Sequence, residues 1–366
     1  MDASLYHPLF FGLFCLWGAI LALSYRASYN SALLQKKESL LWGWIFTIIV
    51  AIWLGLRPIS ARYFGDMASY ARIYNSLSSE HIGIDLETEW LWTSLGAICH
   101  LLKFSTQMYF VVVALLYTLC AFASLHILIP RKPLTSLVFV CSSLMFFSFA
   151  TNGLRNGLAC HISMLAFALF LKDKRINGAL LAFFAYGVHH SVGIPIAAFV
   201  TSLFIYKRPH WALYIWLLSI IASLFLGNSV TGLIEQLSFD DRLSQYTSLE
   251  QGGIGTTFSH YGFRWDFLLY SAMPIALGYY AIINRRIFDN WYSVFFSTYC
   301  LANAFWVIFI RAAFSNRFAY LSWFLYPVMI AYPLFILNIW PNQDKNIGLI
   351  MMLYVGFTAF MHFVFW

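Results

Sequence analysis

One arginine interrupts a long apolar region of this sequence, in the stretch SFATNGLRNGLAC that begins at Ser148. A guanidinium in the hydrocarbon of a bilayer is costly, so a chain retains one there only for a partner or a task. Helical spacing would align four residues of this stretch on one face, namely Asn152, Arg155, Asn156 and Ala159. A guanidinium presents a rigid fork of donors that matches phosphate oxygens, and we predict that Arg155 binds a diphosphate. The alternative is that Arg155 snorkels to the head groups.

A second group of candidates lies in GLRPISARYFGDMASYARIY. Arg57 ends an apolar run, and Asp66 precedes an amphipathic helical pattern that includes Tyr70. Arg57 is a candidate to bind an anionic group, Asp66 is a candidate acid–base or hydrogen-bonding group, and Tyr70 is a candidate contact for a ligand. The alternatives are that Arg57 snorkels beside Pro58 and that Asp66 only caps the helix.

Two adjacent histidines lie at the junction of two apolar runs, in AYGVHHSVGIP. Neighbouring side chains on a helix point in different directions, so at most one of His189 and His190 faces a site. That histidine is a general base or a hydrogen-bond donor to phosphate, and Asp66 remains a third candidate base. The alternative for either histidine is an interfacial ring bonded to the backbone.

The remaining basic candidates lie in the second half of the chain. Arg311 and Arg317 occur in RAAFSNRFAYLSW, and Arg264 precedes an apolar run that opens at Asp266. We assign all three arginines to substrate binding. No group of Asp, Glu or His at these positions has a metal-ligand spacing, which predicts chemistry without a metal.

Apolar helices must position these residues. Of 366 residues, 61% are hydrophobic, 20% are aromatic and 10% are charged, and the mean hydropathy is +0.72. Water-soluble domains of this size do not have such a composition, so we predict an all-α polytopic membrane protein. The net charge of +7 is scattered between apolar runs, which argues against a nucleic-acid-binding patch. The six cysteines have no metal-ligand spacing and predict neither a disulfide framework nor a zinc site.

Apolar runs of sufficient length predict about twelve transmembrane helices in a single membrane domain. They begin near Leu9, Leu40, Met108, Leu134, Gly157, Ile176, Ser191, Trp211, Asp266, Trp291, Phe318 and Ile347. We interpret the segment from Trp90 to Leu102 as interfacial or re-entrant, because a crossing there would invert every later connector. The first run lacks the flanking features of a signal peptide, which predicts a retained helix.

The basic connectors predict the orientation of these helices. They contain Arg26, Lys36, Lys37, Arg131, Lys132, Lys172, Lys174, Arg175, Lys207, Arg208, Arg285, Arg286 and Lys345. Placing all of them in the cytoplasm requires both termini to lie outside. The outer face then carries an interfacial segment, residues 57–105, and a long loop, residues 227–265. It also carries an excess of arginine over lysine, which suggests phosphate recognition there.

These stretches resemble the EpsG-type family of Wzy-like polysaccharide polymerases. The resemblance rests on short motifs, in chain order GLR followed by GD and Tyr70, NGLRNGLA, the H-x-S of His189 to Ser191, and NRFAY from Asn316. It extends over residues 55–332. The chain departs from the family pattern at Asn156, where the family often has glutamine, and by its additional His190.

The resemblance implies a GT-C-like membrane fold and block-wise polymerisation. A growing glycan on undecaprenyl diphosphate would be transferred to the non-reducing end of a lipid-linked repeat unit, at the outer face of the bacterial inner membrane. The implied donor is lipid-linked, so no nucleotide sugar and no other cofactor is expected. For such a transfer the diphosphate would be bound by Arg57, Arg155 and Arg317. Asp66 or His189 would accept a hydrogen bond or proton from the attacking sugar hydroxyl, and Tyr70 would stack on a sugar. The implied partners are the undecaprenyl-diphosphate-linked oligosaccharide, membrane lipids and a chain-length regulator, with no nucleic acid.

Two other functions are compatible with the same motifs. An O-antigen ligase-like glycosyltransferase would transfer the glycan to lipid A core instead of a repeat unit. A flippase for lipid-linked oligosaccharide also has about twelve spans, but transporters place ionisable residues near the midplane and show repeat symmetry. Here the charged candidates lie at helix ends and no repeat is visible, which favours polymerisation.

Overall fold

The computed structural model describes residues 2–28, 32–226, 262–311 and 315–364, and every regular element in these ranges is a helix. The first helices are α1 (Ala3–Ala27), α2 (Ala32–Gln35), α3 (Leu40–Gly55), α4 (Ala61–Phe64), α5 (Met67–Asn75), α6 (Trp90–Leu101), α7 (Thr106–Leu128), α8 (Pro133–Cys141) and α9 (Phe146–Thr151). They continue with α10 (Leu154–Leu171), α11 (Arg175–Val188), α12 (Gly193–Ile205), α13 (His210–Leu226), α14 (Trp265–Gly278), α15 (Asn290–Ile308), α16 (Asn316–Trp323), α17 (Tyr326–Phe335) and α18 (Gln343–Val364). Short helical turns of other types occupy Ser79–His81, His190–Val192 and Tyr279–Asn284.

Each predicted apolar run coincides with a helix or with a pair of helices. The run from Leu134 is interrupted at residues 142–145, between α8 and α9, and the run from Phe318 is divided between α16 and α17. In the described ranges, 6 helices are long and apolar enough to cross a membrane by length and composition. They are α1, α7, α10, α14 with its following turn, α16 with α17, and α18. The chain is therefore a polytopic membrane protein that is all-helical over its described residues, while the count of about twelve crossings stays a prediction.

Two compact units make up the chain, Met1–His189 with Ala331–Trp366, and His190–Ile330. In the first unit α1 packs on α18, α3 packs on α7, and α10 packs on both α7 and α11. Glycine permits the close approach of α1 and α18. A Cβ atom at Gly348 would lie 2.5 Å from the backbone oxygen of Ala22, as is typical of helix pairs packed through small residues in membranes.

Polar contacts join several connectors at one end of the first unit. Glu38 accepts hydrogen bonds from the backbone N–H groups of Leu134, over 2.8 Å, and Thr135, over 3.0 Å. Ser28 Oγ donates to Asp344 Oδ2 over 2.6 Å at the start of α18. These connectors are ones that the sequence predicts to be cytoplasmic, and they lie together at the same end of the unit.

The opposite end of the first unit is organised around Arg57. Its Nη2 donates to the carbonyl of Thr151 over 3.0 Å, and Gln107 at the start of α7 donates to the Arg57 carbonyl over 2.8 Å. Tyr6, near the start of α1, donates to the carbonyl of Leu56 over 3.2 Å. The start of α1 and the ends of α3 and α9 therefore meet at this end.

The predicted interfacial segment, residues 57–105, contains α4, α5 and α6. As helical spacing predicts, the buried residues of α5 are Met67, Tyr70, Ala71 and Tyr74. This face packs on α6 and α7, because aromatic partners lie there: the Tyr74 ring stacks on Tyr109 at 4.5 Å, and its hydroxyl donates to the Phe104 carbonyl over 2.7 Å. With 12 residues, α6 is about 18 Å long and too short to span a bilayer.

In the second unit α12, α13 and α16 pack on α15 around a buried polar network. Asn303 is 0% exposed and accepts a hydrogen bond from Trp216 Nε1 over 2.8 Å. Its amide donates to Ser322 Oγ over 2.8 Å and to Ser271 Oγ over 3.1 Å. Such mutually satisfied groups hold apolar helices in one register.

The predicted long loop, residues 227–265, lies outside the described residues as far as position 261.

Candidate functional site

Glu89 joins two of the predicted site residues. Its Oε2 accepts a hydrogen bond from Nη1 of Arg155, and its Oε1 is hydrogen-bonded to Nδ1 of His189. The side chains are 18% exposed for Glu89, 21% for Arg155 and 15% for His189. The arrangement is largely shielded from water and still accessible to a substrate. We call these three residues the Glu89 cluster.

Three helix ends bring the Glu89 cluster together. Glu89 immediately precedes α6, Arg155 lies in the first turn of α10, and His189 follows the last residue of α11. α11 packs on both α6 and α10. The contact with α6 requires a glycine at position 187, since a Cβ atom on Gly187 would lie 2.7 Å from the ring of Trp90. Helix packing, and not proximity in the chain, therefore creates the cluster.

The stretch around Arg155 is not one continuous helix, which corrects the predicted polar face. Asn152 lies in the break between α9 and α10, at φ −112° and ψ −60°, so it does not share a helical face with Arg155 and Asn156. Instead, its Oδ1 accepts a hydrogen bond from the backbone N–H of Asp66 over 2.8 Å. Asn156 stays on α10, where its Oδ1 accepts from the thiol of Cys160 over 3.2 Å.

Asp66 occupies the N-cap position of α5, but its side chain makes no capping hydrogen bond. The alternative, that Asp66 only caps this helix, is therefore confirmed for its position, whereas the capping hydrogen bond from its side chain is not formed. The preceding Gly65 has φ +51°, and a Cβ atom there would lie 2.5 Å from Oδ1 of Asn152. Only glycine fits this turn, which holds the Asp66 backbone against Asn152.

Tyr70 supports the Glu89 cluster from α5. Its ring centroid lies 5.8 Å from Cζ of Arg155, a distance at which a cation and an aromatic face attract each other. The ring is only 8% exposed and makes an edge contact with Trp92 at 5.5 Å. In this position Tyr70 orients Arg155, and its stacking on a sugar stays a prediction.

The environment of Glu89 favours its ionised form. Burial by itself raises the pKa of a carboxyl, but the hydrogen bonds and charges of His189 and Arg155 outweigh burial and lower the pKa of Glu89. The carboxylate therefore carries a negative charge at neutral pH. That charge offsets the cost of holding a guanidinium in a water-poor position.

We expect acid to weaken the folded state through Glu89. A carboxyl whose folded pKa is lowered stabilises the fold above its unfolded pKa, and this contribution is lost as the pH falls through the folded pKa. Between about pH 6 and about pH 3, the thermal unfolding midpoint should therefore fall more in the wild type than in Glu89→Gln. The exposed Glu87→Gln should behave as the wild type does. An equal fall in wild type and Glu89→Gln would contradict this account.

Arg57 is 0% exposed, which does not fit the snorkelling alternative. Its guanidinium donates to the carbonyls of Leu54 and Thr151, and Cζ lies 5.3 Å from the ring centroid of Phe110 and 5.8 Å from that of Phe64. These contacts hold the end of α3 against the end of α9. A role in binding diphosphate stays a prediction, and it requires Arg57 to leave these carbonyls.

Two further predicted arginines are paired with aromatic rings in the second unit. Arg264 makes a two-pronged bond to Asp266, over 2.9 Å from Nε and 2.7 Å from Nη2, and its Cζ lies 3.7 Å from the ring centroid of Phe267. Arg311 has its Cζ 5.6 Å from the ring centroid of Phe263. The pairing of Arg264 with Asp266 leaves less of its guanidinium for a phosphate.

Arg317 and His190 also belong to the second unit. Arg317 lies in the first turn of α16, and His190 begins the short turn that precedes α12. Both side chains are half-buried. Their roles in substrate binding stay predictions, as do those of Arg264 and Arg311.

Glu89 is the site residue that the sequence does not single out. It is the last of three acidic residues at alternate positions in the stretch IDLETEW, after Asp85 and Glu87. One local signal distinguishes it, because Glu89 directly adjoins the apolar segment that begins at Trp90. An acid at the edge of an apolar run needs a partner for the same reason that an arginine does.

The side chains of the Glu89 cluster do not form a metal-ligand set. Across the part of the chain that the structure describes, no group of 3 or more His, Cys, Asp or Glu side chains could hold a metal ion. Glu89 and His189 form only a pair, and the third member of their cluster is a cation. Independence from a metal stays a prediction that needs a direct test.

Comparison with known proteins places these residues in a family. The chain matches the EpsG family over residues 41–366, a region that contains the whole Glu89 cluster as well as Arg57 and Asp66. No curated protein and no solved structure matches the chain significantly. The family match covers most of the sequence and confirms the resemblance seen in the short motifs. The chain therefore belongs to the EpsG family, the family of Wzy-like polysaccharide polymerases.

Proposed function

We propose that this protein is a glycosyltransferase that polymerises lipid-linked repeat units. It transfers a growing glycan from undecaprenyl diphosphate to the non-reducing end of the next repeat unit, at the outer face of the bacterial inner membrane. Family membership supports polysaccharide polymerisation. The observation that carries the finer proposal is the Glu89 cluster, which holds a guanidinium, a carboxylate and an imidazole together at helix ends.

The transfer breaks the bond between the anomeric carbon of the donor and its diphosphate. A hydroxyl of the acceptor sugar forms the new bond to that carbon, and the bonding electrons leave with undecaprenyl diphosphate. The charge that develops on the leaving group needs fixed donors or cations. Among the predicted arginines, Arg155 has the most suitable surroundings for this task.

Arg155 has donor capacity left for a phosphate. Its Nη1 is engaged by Glu89, and its Nε is buried without a hydrogen-bond partner among the described residues, as are the Nε atoms of Arg57 and Arg311. A buried donor without an acceptor is unfavourable, and a phosphate oxygen would satisfy it. Other parts of a lipid-linked glycan would be bound in the first unit by Arg57, Asn152 and Asn156. The candidates of the second unit for substrate binding are His190, Arg264, Arg311 and Arg317.

We also propose about twelve membrane crossings in a GT-C-like arrangement, with both termini outside. Contacts within the first unit support this orientation. There the connectors that contain Lys36, Lys37 and Lys132 are joined by hydrogen bonds at one end, while Arg57 closes the other end. The positive-inside rule then assigns the connector end to the cytoplasm.

A cysteine-labelling experiment tests this orientation. In a variant without native cysteines, a single cysteine at Asp173 should be protected from an impermeant thiol reagent in intact cells, and one at Glu87 should react. Both positions are exposed, so their difference would report the side of the membrane and not burial. Labelling at Asp173 with protection at Glu87 would reverse the orientation.

Reconstitution tests the function itself. The purified protein, mixed with its lipid-linked repeat unit, should produce a ladder of polymers spaced by one repeat. Transfer that occurs only when lipid A core is supplied would identify a ligase, and transbilayer movement without bond formation would identify a transporter. A chelator should leave the ladder unchanged. Loss of the ladder that magnesium or manganese restores would contradict metal independence.

A further inference from the structure

We propose that His189 is the general base of this transfer and that Glu89 is its positioning residue. This inference rests on the function proposed above and makes a choice among the three candidates Asp66, His189 and His190. The choice depends on the hydrogen bond between Glu89 Oε1 and Nδ1 of His189. It adds Glu89, which the sequence motifs do not include, to the residues that the reaction needs.

Glu89 determines which ring nitrogen of His189 carries the proton. An ionised carboxylate can only accept hydrogen bonds, and the second oxygen of Glu89 already accepts one from Arg155. Nδ1 of His189 must therefore be the donor. In the neutral ring the lone pair is then on Nε2, which is the atom that can accept a proton.

The proton and the electrons balance in this arrangement. As the acceptor hydroxyl oxygen bonds to the anomeric carbon, its proton moves to Nε2 of His189. The bond to the diphosphate breaks, and its electron pair leaves with the phosphate. The imidazolium that forms lies beside the negative charge of Glu89, which stabilises it as carboxylates do in other carboxylate–histidine pairs. His189 is 15% exposed and can return the proton to water.

The two oxygens of Glu89 give the carboxylate separate tasks. Oε1 orients the base, while Oε2 orients Arg155, the residue assigned to the leaving diphosphate. Among the described residues, Glu89 is the ion-pair partner of His189, and Arg155 contacts the other oxygen of the same carboxylate. Tyr70 lies against Arg155 and completes the surroundings of the cluster.

A double-mutant cycle tests whether Glu89 acts through His189. The initial rate of ladder formation would be measured for Glu89→Gln, His189→Ala and the double variant. General-base catalysis contributes about 100- to 10,000-fold, so His189→Ala should lose a factor in this range. Glu89→Gln should lower kcat by about 10-fold or more with little change in KM for the repeat unit, and it should lower the rate clearly less in the His189→Ala background than in the wild type.

Chemical rescue provides a readout that a purely structural role would not produce. Added imidazole should restore part of the rate to His189→Ala, because it replaces the missing base, and should not restore Glu89→Gln. Glu87→Gln, an exposed neighbour in the same loop, should be silent. Thermal unfolding midpoints would be compared for all variants. If His189→Ala does not fold, His189→Gln removes the base while retaining a hydrogen-bonding side chain.

Two results would overturn the inference. If Glu89→Gln lowers the rate equally in the wild-type and His189→Ala backgrounds, Glu89 acts only through Arg155. If Asp66→Asn abolishes the ladder while His189→Ala leaves it nearly normal, Asp66 is the base. In both cases the wild type still forms a ladder, so polymerase function stands. A wild type that makes no ladder would instead refute the proposed function.

Discussion

Arg155→Lys should lose most polymerase activity while the protein still folds and inserts. Lysine keeps the positive charge that pairs with Glu89, but it lacks the planar fork that can contact a carboxylate and a phosphate together. Loss of one charge-assisted contact in a water-poor site should cost on the order of 2–4 kcal/mol in the transition state. That corresponds to a decrease in rate of roughly 30- to 1000-fold.

Ladder formation by Arg155→Lys would be compared with wild type at matched membrane expression. The matched control is Arg72→Lys, because Arg72 is exposed on α5 and its Nη2 bonds to Ser69 over 3.2 Å. This control should retain normal activity. Near-normal ladders from Arg155→Lys would limit Arg155 to pairing with Glu89 and leave Arg57 and Arg317 as diphosphate candidates.

Arg57→Ala should lose stability before any effect on chemistry can be seen. The change opens a cavity between Phe64 and Phe110 and removes the donors that the carbonyls of Leu54 and Thr151 now share. Truncation of a large buried side chain, with loss of its hydrogen bonds, costs on the order of 3–5 kcal/mol. The thermal unfolding midpoint of the purified protein would measure this loss.

The control for Arg57→Ala is Arg62→Ala, an exposed arginine whose Cζ lies 5.5 Å from the ring centroid of Tyr63. It should unfold near the wild-type temperature. If Arg57→Ala has normal stability but forms no ladder, the structural role assigned to Arg57 is wrong. Arg57 would then bind substrate, as the sequence predicts, and its contacts with the carbonyls would be secondary.

The helical composition of the chain was predictable because it depends on local properties. A run of apolar residues satisfies its own backbone hydrogen bonds only as a helix, wherever the rest of the chain lies. For this reason the apolar runs match helices, including the short α6, which the connector charges predict to be interfacial or re-entrant. The buried face of α5 also follows from spacing alone, since side chains three and four positions apart share a side.

Partners across the chain were not predictable in the same way. The break between α9 and α10 removes Asn152 from the face of Arg155 and pairs it with the Asp66 backbone. Glu89 has two acidic neighbours in the sequence that look equivalent to it. Only the packing of α6 and α10 against α11 brings Glu89, and not Glu87, against Arg155 and His189.

The two GLR motifs show most directly what the local sequence predicts and what tertiary packing decides. The same three letters end at Arg57 and at Arg155, and the sequence predicts the same diphosphate-binding role for both. From the sequence alone, each is an arginine at the end of an apolar run that needs compensation for its charge. In the folded chain Arg57 is fully buried against backbone carbonyls, whereas Arg155 is partly exposed and pairs with a carboxylate. Local sequence determined that both charges need partners, and tertiary packing decided which partners came within reach.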